Sequence, residues 1–143
     1  MAPLPVSAVV VNLDGGPLLI EALDALEREG VEETLVVDNG SGADEVVRLG
    51  ARPGVTLHRL PENRGFAAPA NLGARAARAP FLALVNNDCV LEAGYLAACL
   101  SALEGDSALA AVQGVVLDGA GRTVDGWGFG WTARAEAVQL GRG

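Results

Sequence analysis

Three apolar runs in this chain end in the same way. Val6 to Val11 is followed by Asn12, Leu13 and Asp14, Leu35 to Val37 by Asp38 and Asn39, and Phe81 to Val85 by Asn86, Asn87 and Asp88. Each run is too short for a lone helix and is built of aliphatic residues, so each reads as a buried strand. The last, Pro80 to Val85, reads as a strand covered on both faces, as in a parallel sheet. In open α/β sheets, ligands bind outside the carboxyl ends of the strands. Endings of this kind on neighbouring strands would collect Asn and Asp side chains on one rim.

The segments between the runs are helical. Pro17 is tolerated near a first turn because its missing N–H has no partner there. Leu19, Ala22, Leu23 and Leu26 follow at helical spacing, and Gly30 closes the helix. Strand two is Glu33 to Asp38. A short helix spans Asp44 to Leu49, stopped by Gly50, and strand three is Val55 to Leu60. After the loop Pro61 to Gly65, an Ala-rich helix runs from Phe66 to Arg78, with Pro69 in its first turn. A further helix, Glu92 to Glu104, sets Leu96, Cys99, Leu100 and Leu103 on one face, and Ala108 to Leu117 is a fifth strand candidate. Alternation of this kind predicts an α/β fold, a mostly parallel sheet with helices on both faces.

From Asp118 the character changes. DGAGR reads as a turn, and in GWGFGW aromatic residues alternate with glycine from Gly126 to Trp131. The tail reads as a flap or the start of something continuing, with no helix or strand to close it, so the chain is expected to be truncated. The expected division is an α/β domain over 1–117 and a Gly/aromatic tail over 118–143.

Composition narrows the function. The chain has 143 residues, about one domain. Half are hydrophobic, enough for a core. Net charge is −8 and every basic residue is Arg, so non-specific nucleic-acid binding is disfavoured. Cys89 and Cys99 lie in no CxxC pair and near no matching His, which leaves a zinc site unsupported and points to reduced core thiols of a cytosolic protein. No stretch is long enough to cross a membrane. The start, without a basic n-region, reads as a first strand rather than a signal peptide.

The polar clusters each have two readings. A diphosphate is a polyanion that an acidic protein binds poorly unaided, and Mg²⁺ or Mn²⁺ held by one or two carboxylates would resolve this. Asp88 reads as such a ligand, with Asn86 helping through its amide oxygen, while Asn87 reads as a turn or cap residue. Asp38 and Asn39 can accept hydrogen bonds from a base or ribose, or form an Asx-turn onto Gly40 and Ser41. Arg64 can pair with phosphate or be an ordinary surface residue. His58 sits mid-strand and reads as structural, which leaves a Ser-His-Asp relay little to work with. No GxGxxG follows strand one and no Walker motif is present.

Four segments, VVVNLDGGPLLIEALDAL, LVVDNGSGADE, PENRGFAAPANLGARAA and FLALVNNDCVLEAGYL, resemble in order and spacing the amino-terminal half of family-2 glycosyltransferases, over Val6 to about Val116. The nearest subgroup resembles the bacterial rhamnosyltransferase-like enzymes of cell-surface polysaccharide assembly. The resemblance implies the Rossmann-like GT-A fold of nucleotide-diphospho-sugar transferases. It also implies inverting transfer of a sugar from a dTDP- or UDP-sugar to a hydroxyl of a glycan or lipid-linked acceptor. Val11, Asn12 and Asp14 map to the nucleoside-binding end of strand one, and Asp38, with Asn39 and Ser41, to the base-holding end of strand two. Asn63, Arg64, Gly65 and Asn71 map to the loop and helix along the donor. Asn86, Asn87 and Asp88 fall on the DXD-like motif, Asp88 in the metal position, and Mg²⁺ or Mn²⁺ is the implied cofactor.

The sequence departs from the subgroup in that Leu13 stands in place of Tyr, Asp14 in place of Asn, Pro69 where Ala or Asn is common, and NND supplies one carboxylate where DXD supplies two. No residue matches the family's general base, which is expected beyond Gly143, so this chain alone is expected to be an inactive donor-binding part. The implied location is cytoplasmic, or peripheral at the inner membrane face. Two alternatives stand beside this reading. A sugar-phosphate nucleotidyltransferase would want a basic Gly-rich loop after strand one, and no Arg follows until Arg28. A non-catalytic nucleotide-binding or assembly domain would fit an apolar surface open to homodimerisation.

Overall fold

The computed structural model describes residues 2–126, 128–131 and 137–140. Strands β1 (Leu4–Asn12), β2 (Val31–Asp38), β3 (Val55–Arg59) and β4 (Phe81–Asn86) form a parallel sheet in the order β3-β2-β1-β4. Helices α1 (Gly16–Glu29), α2 (Ala43–Gly50) and α3 (Ala67–Ala76) connect them. Right-handed crossovers put α1 and α2 on one face, because β1, β2 and β3 step in one direction. The step from β3 back past β2 and β1 to β4 reverses direction, so α3 covers the other face.

The core follows from the pattern. Ala8, Val9, Val10, Leu35, Val36 and Val37 are all at most 2% exposed. Val9, Leu35 and Val37 face one way and pack with Leu72, Ala76 and Ala77. Close contact there requires Gly73. A Cβ at that position would lie 2.4 Å from Val9 Cγ1 and 3.2 Å from Val37 Cγ2, so the glycine lets the α3 backbone rest on the sheet. On α1, Leu19, Ala22, Leu23, Ala25 and Leu26 are buried. Each leucine contributes about 1.5–3 kcal/mol by leaving water. Gly30 ends α1 at φ 70°, a left-handed cap whose N–H donates to the Glu27 carbonyl.

The chain groups into two compact units, Met1–Ala93 and Gly94–Gly143. The second contains α4 (Tyr95–Gly105) and two antiparallel pairs. In these, β5 (Val116–Leu117) pairs with β6 (Val124–Gly126), and β7 (Gly128–Trp131) pairs with β8 (Ala137–Leu140). The Tyr95 hydroxyl accepts the Gly114 N–H at 2.9 Å.

The structure corrects the sequence reading in several places. Only Val116 and Leu117 of the expected fifth strand are extended and paired, and with β6 rather than the main sheet. The segment instead opens on a turn, the Leu109 N–H donating to the Asp106 carbonyl. β4 is not covered on both faces. Among the described residues it is the end strand of the four-stranded sheet, with Leu82 44% and Leu84 55% exposed, and an aliphatic run alone cannot tell edge from centre. The helix expected from Glu92 starts at Tyr95, because Gly94 at φ 83° breaks the helical path. Of the GWGFGW segment, Gly126 ends β6 and Gly128–Trp131 pair as β7; Trp127 and Thr132–Glu136 lie outside the described residues. Both thiols are free and half-buried rather than core.

Candidate functional site

Strand register assembles the rim. Asn12 sits opposite Asp38, Asp38 opposite Arg59, and Val11 opposite Asn86. The point where chain direction reverses lies between β1 and β4, the place where open α/β sheets leave a crevice. One hydrogen bond spans it, from Asn87 Nδ2 to Asn12 Oδ1 at 3.1 Å.

Asn12 is the hub and is 0% exposed. The two hydrogens of its Nδ2 are shared among three acceptors, Asp38 Oδ1 (3.4 Å), Ser41 Oγ (3.3 Å) and Glu45 Oε1 (3.4 Å). Its Oδ1 also accepts the Gly15 N–H at 3.1 Å. Asp38, likewise 0% exposed, accepts the Ser41 N–H on Oδ2 (3.2 Å), and Arg59 Nε lies 3.6 Å from the same oxygen. Asp38 thus accepts a backbone N–H three residues on, one residue further than an Asx-turn reaches. The carboxylate braces the loop beneath the rim.

Three loops are laced to this hub. The Asp14 N–H donates to Ser41 Oγ (2.9 Å), and its carboxylate accepts the Gly42 N–H (3.0 Å). Asp14 holds φ 47°, the sole described non-glycine residue with positive φ; its short polar side chain lowers the cost of that conformation. Asn39 Nδ2 donates to Asn63 Oδ1 (3.0 Å) and the Gly65 carbonyl (3.1 Å), and Asn39 Oδ1 accepts the Arg64 N–H (3.0 Å). Gly40, at φ 98°, lets this loop approach, since a Cβ there would meet the Glu62 carbonyl carbon at 2.8 Å.

Asn12, Asp14, Asp38, Asn39, Ser41, Asn63, Arg64, Gly65 and Asn87 therefore meet in one connected network. Asn86 joins it through the strand and is exposed, and Val11 is half-buried in β1. Asn71 stands apart, on the exposed face of α3. Sequence reasoning missed Glu45 and Arg59. Glu45 is 7% exposed and also accepts the Gly16 N–H at 3.0 Å. Its signal was an acidic residue in a helix's first turn, indistinguishable in sequence from a surface charge. Beside it, Asp14, Gly16, Gly42, Ala43, Asp44, Glu45 and Arg48 line an open cleft of about 330 Å³.

The NND turn is closed by the Cys89 N–H donating to the Asn86 carbonyl (3.2 Å). Burial, reinforced by the neighbouring Asp88 charge, pushes the Cys89 thiol up. Asp88 is exposed, and its carboxylate forms no hydrogen bond or ion pair among the described residues. No three His, Cys, Asp or Glu side chains among the described residues converge to hold an ion. One open carboxylate beside an exposed amide fits a hard cation that completes its sphere with phosphate and water oxygens, not a closed protein cage.

The sequence model of glycosyl transferase family 2 matches residues 7–138. The chain belongs to that family. The fold resembles two solved structures. The crystal structure of S. aureus TarS 1–349 superposes with a TM-score of 0.59 at 19% identity, covering 70% of this chain and 32% of that one. The crystal structure of S. aureus TarS gives the same TM-score and identity, with 19% of that chain covered. This family-2 chain thus spans at most about a third of the length of those structures. No curated protein matches the sequence. The parallel sheet with its flanking helices is a GT-A fold.

Proposed function

We propose that this chain is the donor-binding part of an inverting glycosyltransferase that takes a nucleotide-diphosphate sugar, with dTDP or UDP as the carrier. The observation that carries this is the braced rim at the switch point. Asn12, Asp38 and Asn87 are committed to one another, while Asp88 and Asn86 beside them are open to solvent. Family-2 membership supplies the reaction class. A hard cation held by Asp88 would neutralise charge on the departing diphosphate. Arg64 is held by its own N–H on Asn39 and is exposed, which leaves its guanidinium available to a phosphate beyond its loose 3.6 Å pairing with Glu62. The buried braces keep the rim in shape before ligand arrives, so little ordering remains to oppose binding.

We assign the acceptor's proton transfer to no residue of the described network. Transfer to a glycan or lipid-linked hydroxyl, and a rhamnosyltransferase-like preference, rest on the motif resemblance.

The test is a thermal-shift panel of UDP, dTDP and GDP, each with Mn²⁺, Mg²⁺ or EDTA. A nucleotide at roughly 100 times its Kd stabilises the folded state by about 2.7 kcal/mol. The expected result is a shift with UDP or dTDP that disappears in EDTA and in Asp88→Asn. A shift equal in EDTA and metal would refute the Asp88 cation, and no shift with any nucleotide would refute the donor site.

A further inference from the structure

We propose that Glu45 is a positioning residue of the rim: it fixes which way the Asn12 amide points, and through it the turn that carries Asp88. The two ends of a buried amide differ only in hydrogen-bond chemistry, so the neighbours decide its orientation. Around Asn12, Nδ2 faces Asp38, Ser41 and Glu45, and Oδ1 faces the Gly15 N–H and Asn87 Nδ2. A flipped amide would set its oxygen against two carboxylates and its NH₂ against two donors. The Ser41 hydroxyl can accept from the NH₂ or, rotated, donate to the oxygen, so the carboxylates impose the choice.

The two carboxylates are not equivalent. Asp38 sits on β2 and is shared with the Ser41 N–H and Arg59. Glu45 reaches across from α2, and the same Oε1 that receives Asn12 also receives the Gly16 N–H. Its other oxygen lies 3.2 Å from Arg48 Nη2. One oxygen therefore ties α2 to both the end of β1 and the start of α1. Asn12 then passes the constraint on, since its Oδ1 holds Asn87, the residue before Asp88. Gly15 is part of the same fit. A Cβ there would lie 2.5 Å from Asn12 Oδ1 and 2.7 Å from Asn87 Nδ2, so a side chain at this position would push into the Asn12–Asn87 contact.

What matters on this reading is the reach of an acceptor oxygen, not the charge. Glu45→Gln keeps the oxygen and the length, Glu45→Asp keeps the charge but withdraws the oxygen by one methylene, and Glu45→Ala removes both. Two readouts are made on the full chain: the side-chain amide signals of Asn12 and Asn87 by ¹⁵N–¹H NMR, and UDP affinity in Mn²⁺ by calorimetry. The second rests on the function proposed above, and the first does not. Glu45→Gln is expected to leave both readouts at wild-type values. Glu45→Asp and Glu45→Ala are expected to move the Asn87 signals toward those of a solvent-exposed amide and to weaken UDP by roughly tenfold or more, the scale at which supporting residues tune a metal site.

Unmoved Asn87 signals in folded Glu45→Asp overturn the proposal, as does loss in Glu45→Gln with retention in Glu45→Asp. Moved signals with unchanged UDP affinity also overturn it, leaving Glu45 a structural brace. If the wild-type chain binds no UDP, the donor-site reading fails, and the NMR signals still decide whether Glu45 orients the turn.

Discussion

A buried carboxylate at the other end of the sheet shows what a single residue contributes. Glu33 has a side chain only 7% exposed. Its Oε1 accepts the Ser7 hydroxyl at 2.6 Å and the Arg78 N–H, and Arg78 Nη2 lies 2.8 Å from Oε2. Ser7 in turn accepts the Ala79 N–H at 2.9 Å, so this carboxylate links β2, β1 and the entry to β4. Burial raises its pKa, but the Ser7 hydroxyl, the Arg78 amide and the Arg78 guanidinium together outweigh burial and hold it below the ordinary 4.5. A lowered folded-state pKa means stability that is complete above the ordinary value and is lost as pH falls through the folded value. Glu33→Gln is expected to cost about 1–3 kcal/mol at neutral pH, the scale for a disrupted buried hydrogen-bond set. In urea titrations the gap between the two proteins should narrow below pH 4.5. A gap that is constant with pH would mean that the ionised form has no special role.

At the scale of elements, α3 is the piece whose placement depends on one residue. It has the fewest large apolar side chains to hold it, its fully buried positions being Pro69, Ala70 and Gly73. Contact is made by bringing the backbone close at Gly73, with Leu72 and Ala76 packing beside it. Gly73→Ala is expected to push α3 off Val9 and Val37 and to cost about 1–3 kcal/mol by overpacking, despite the gain in helix propensity. Denaturant unfolding measures this directly. A neutral or stabilising Gly73→Ala would show that the helix shifts freely. Because α3 follows the loop bearing Asn63, Arg64 and Gly65, the same displacement would loosen the rim.

For the whole molecule, burial is uneven. The strands β1 and β2 are flanked on both sides by other strands and carry the most buried residues. By contrast, Val116 and Leu117 of β5 are exposed. Protection against hydrogen exchange follows burial and ladder position. The amides of Ala8 to Val10 and Leu35 to Val37 are expected to exchange slowest, those of β4 at an intermediate rate, and those of β5 and β6 fastest. Equal protection across all strands would contradict this ranking.

The sequence by itself determined the four parallel strands, the three helices between them and the polar endings of β1, β2 and β4. These are local matters: aliphatic runs of strand length, apolar residues at helical spacing, and glycines that stop helices. Motif order likewise led to the family. Sequence did not decide which strand lies at the edge, so Leu82 and Leu84 read as core although they face solvent. Nor did it separate the rim's braces from its open groups. Asp38 and Asp88 are both carboxylates at or just past a strand end, yet the first is enclosed by Ser41, Asn12 and Arg59 while the second is exposed. Glu45 looked like a surface charge until the fold of α2 carried it beneath Asn12. Strand order, register and the approach of distant loops decide those differences. They depend on pairings between residues tens of positions apart, which local pattern does not encode.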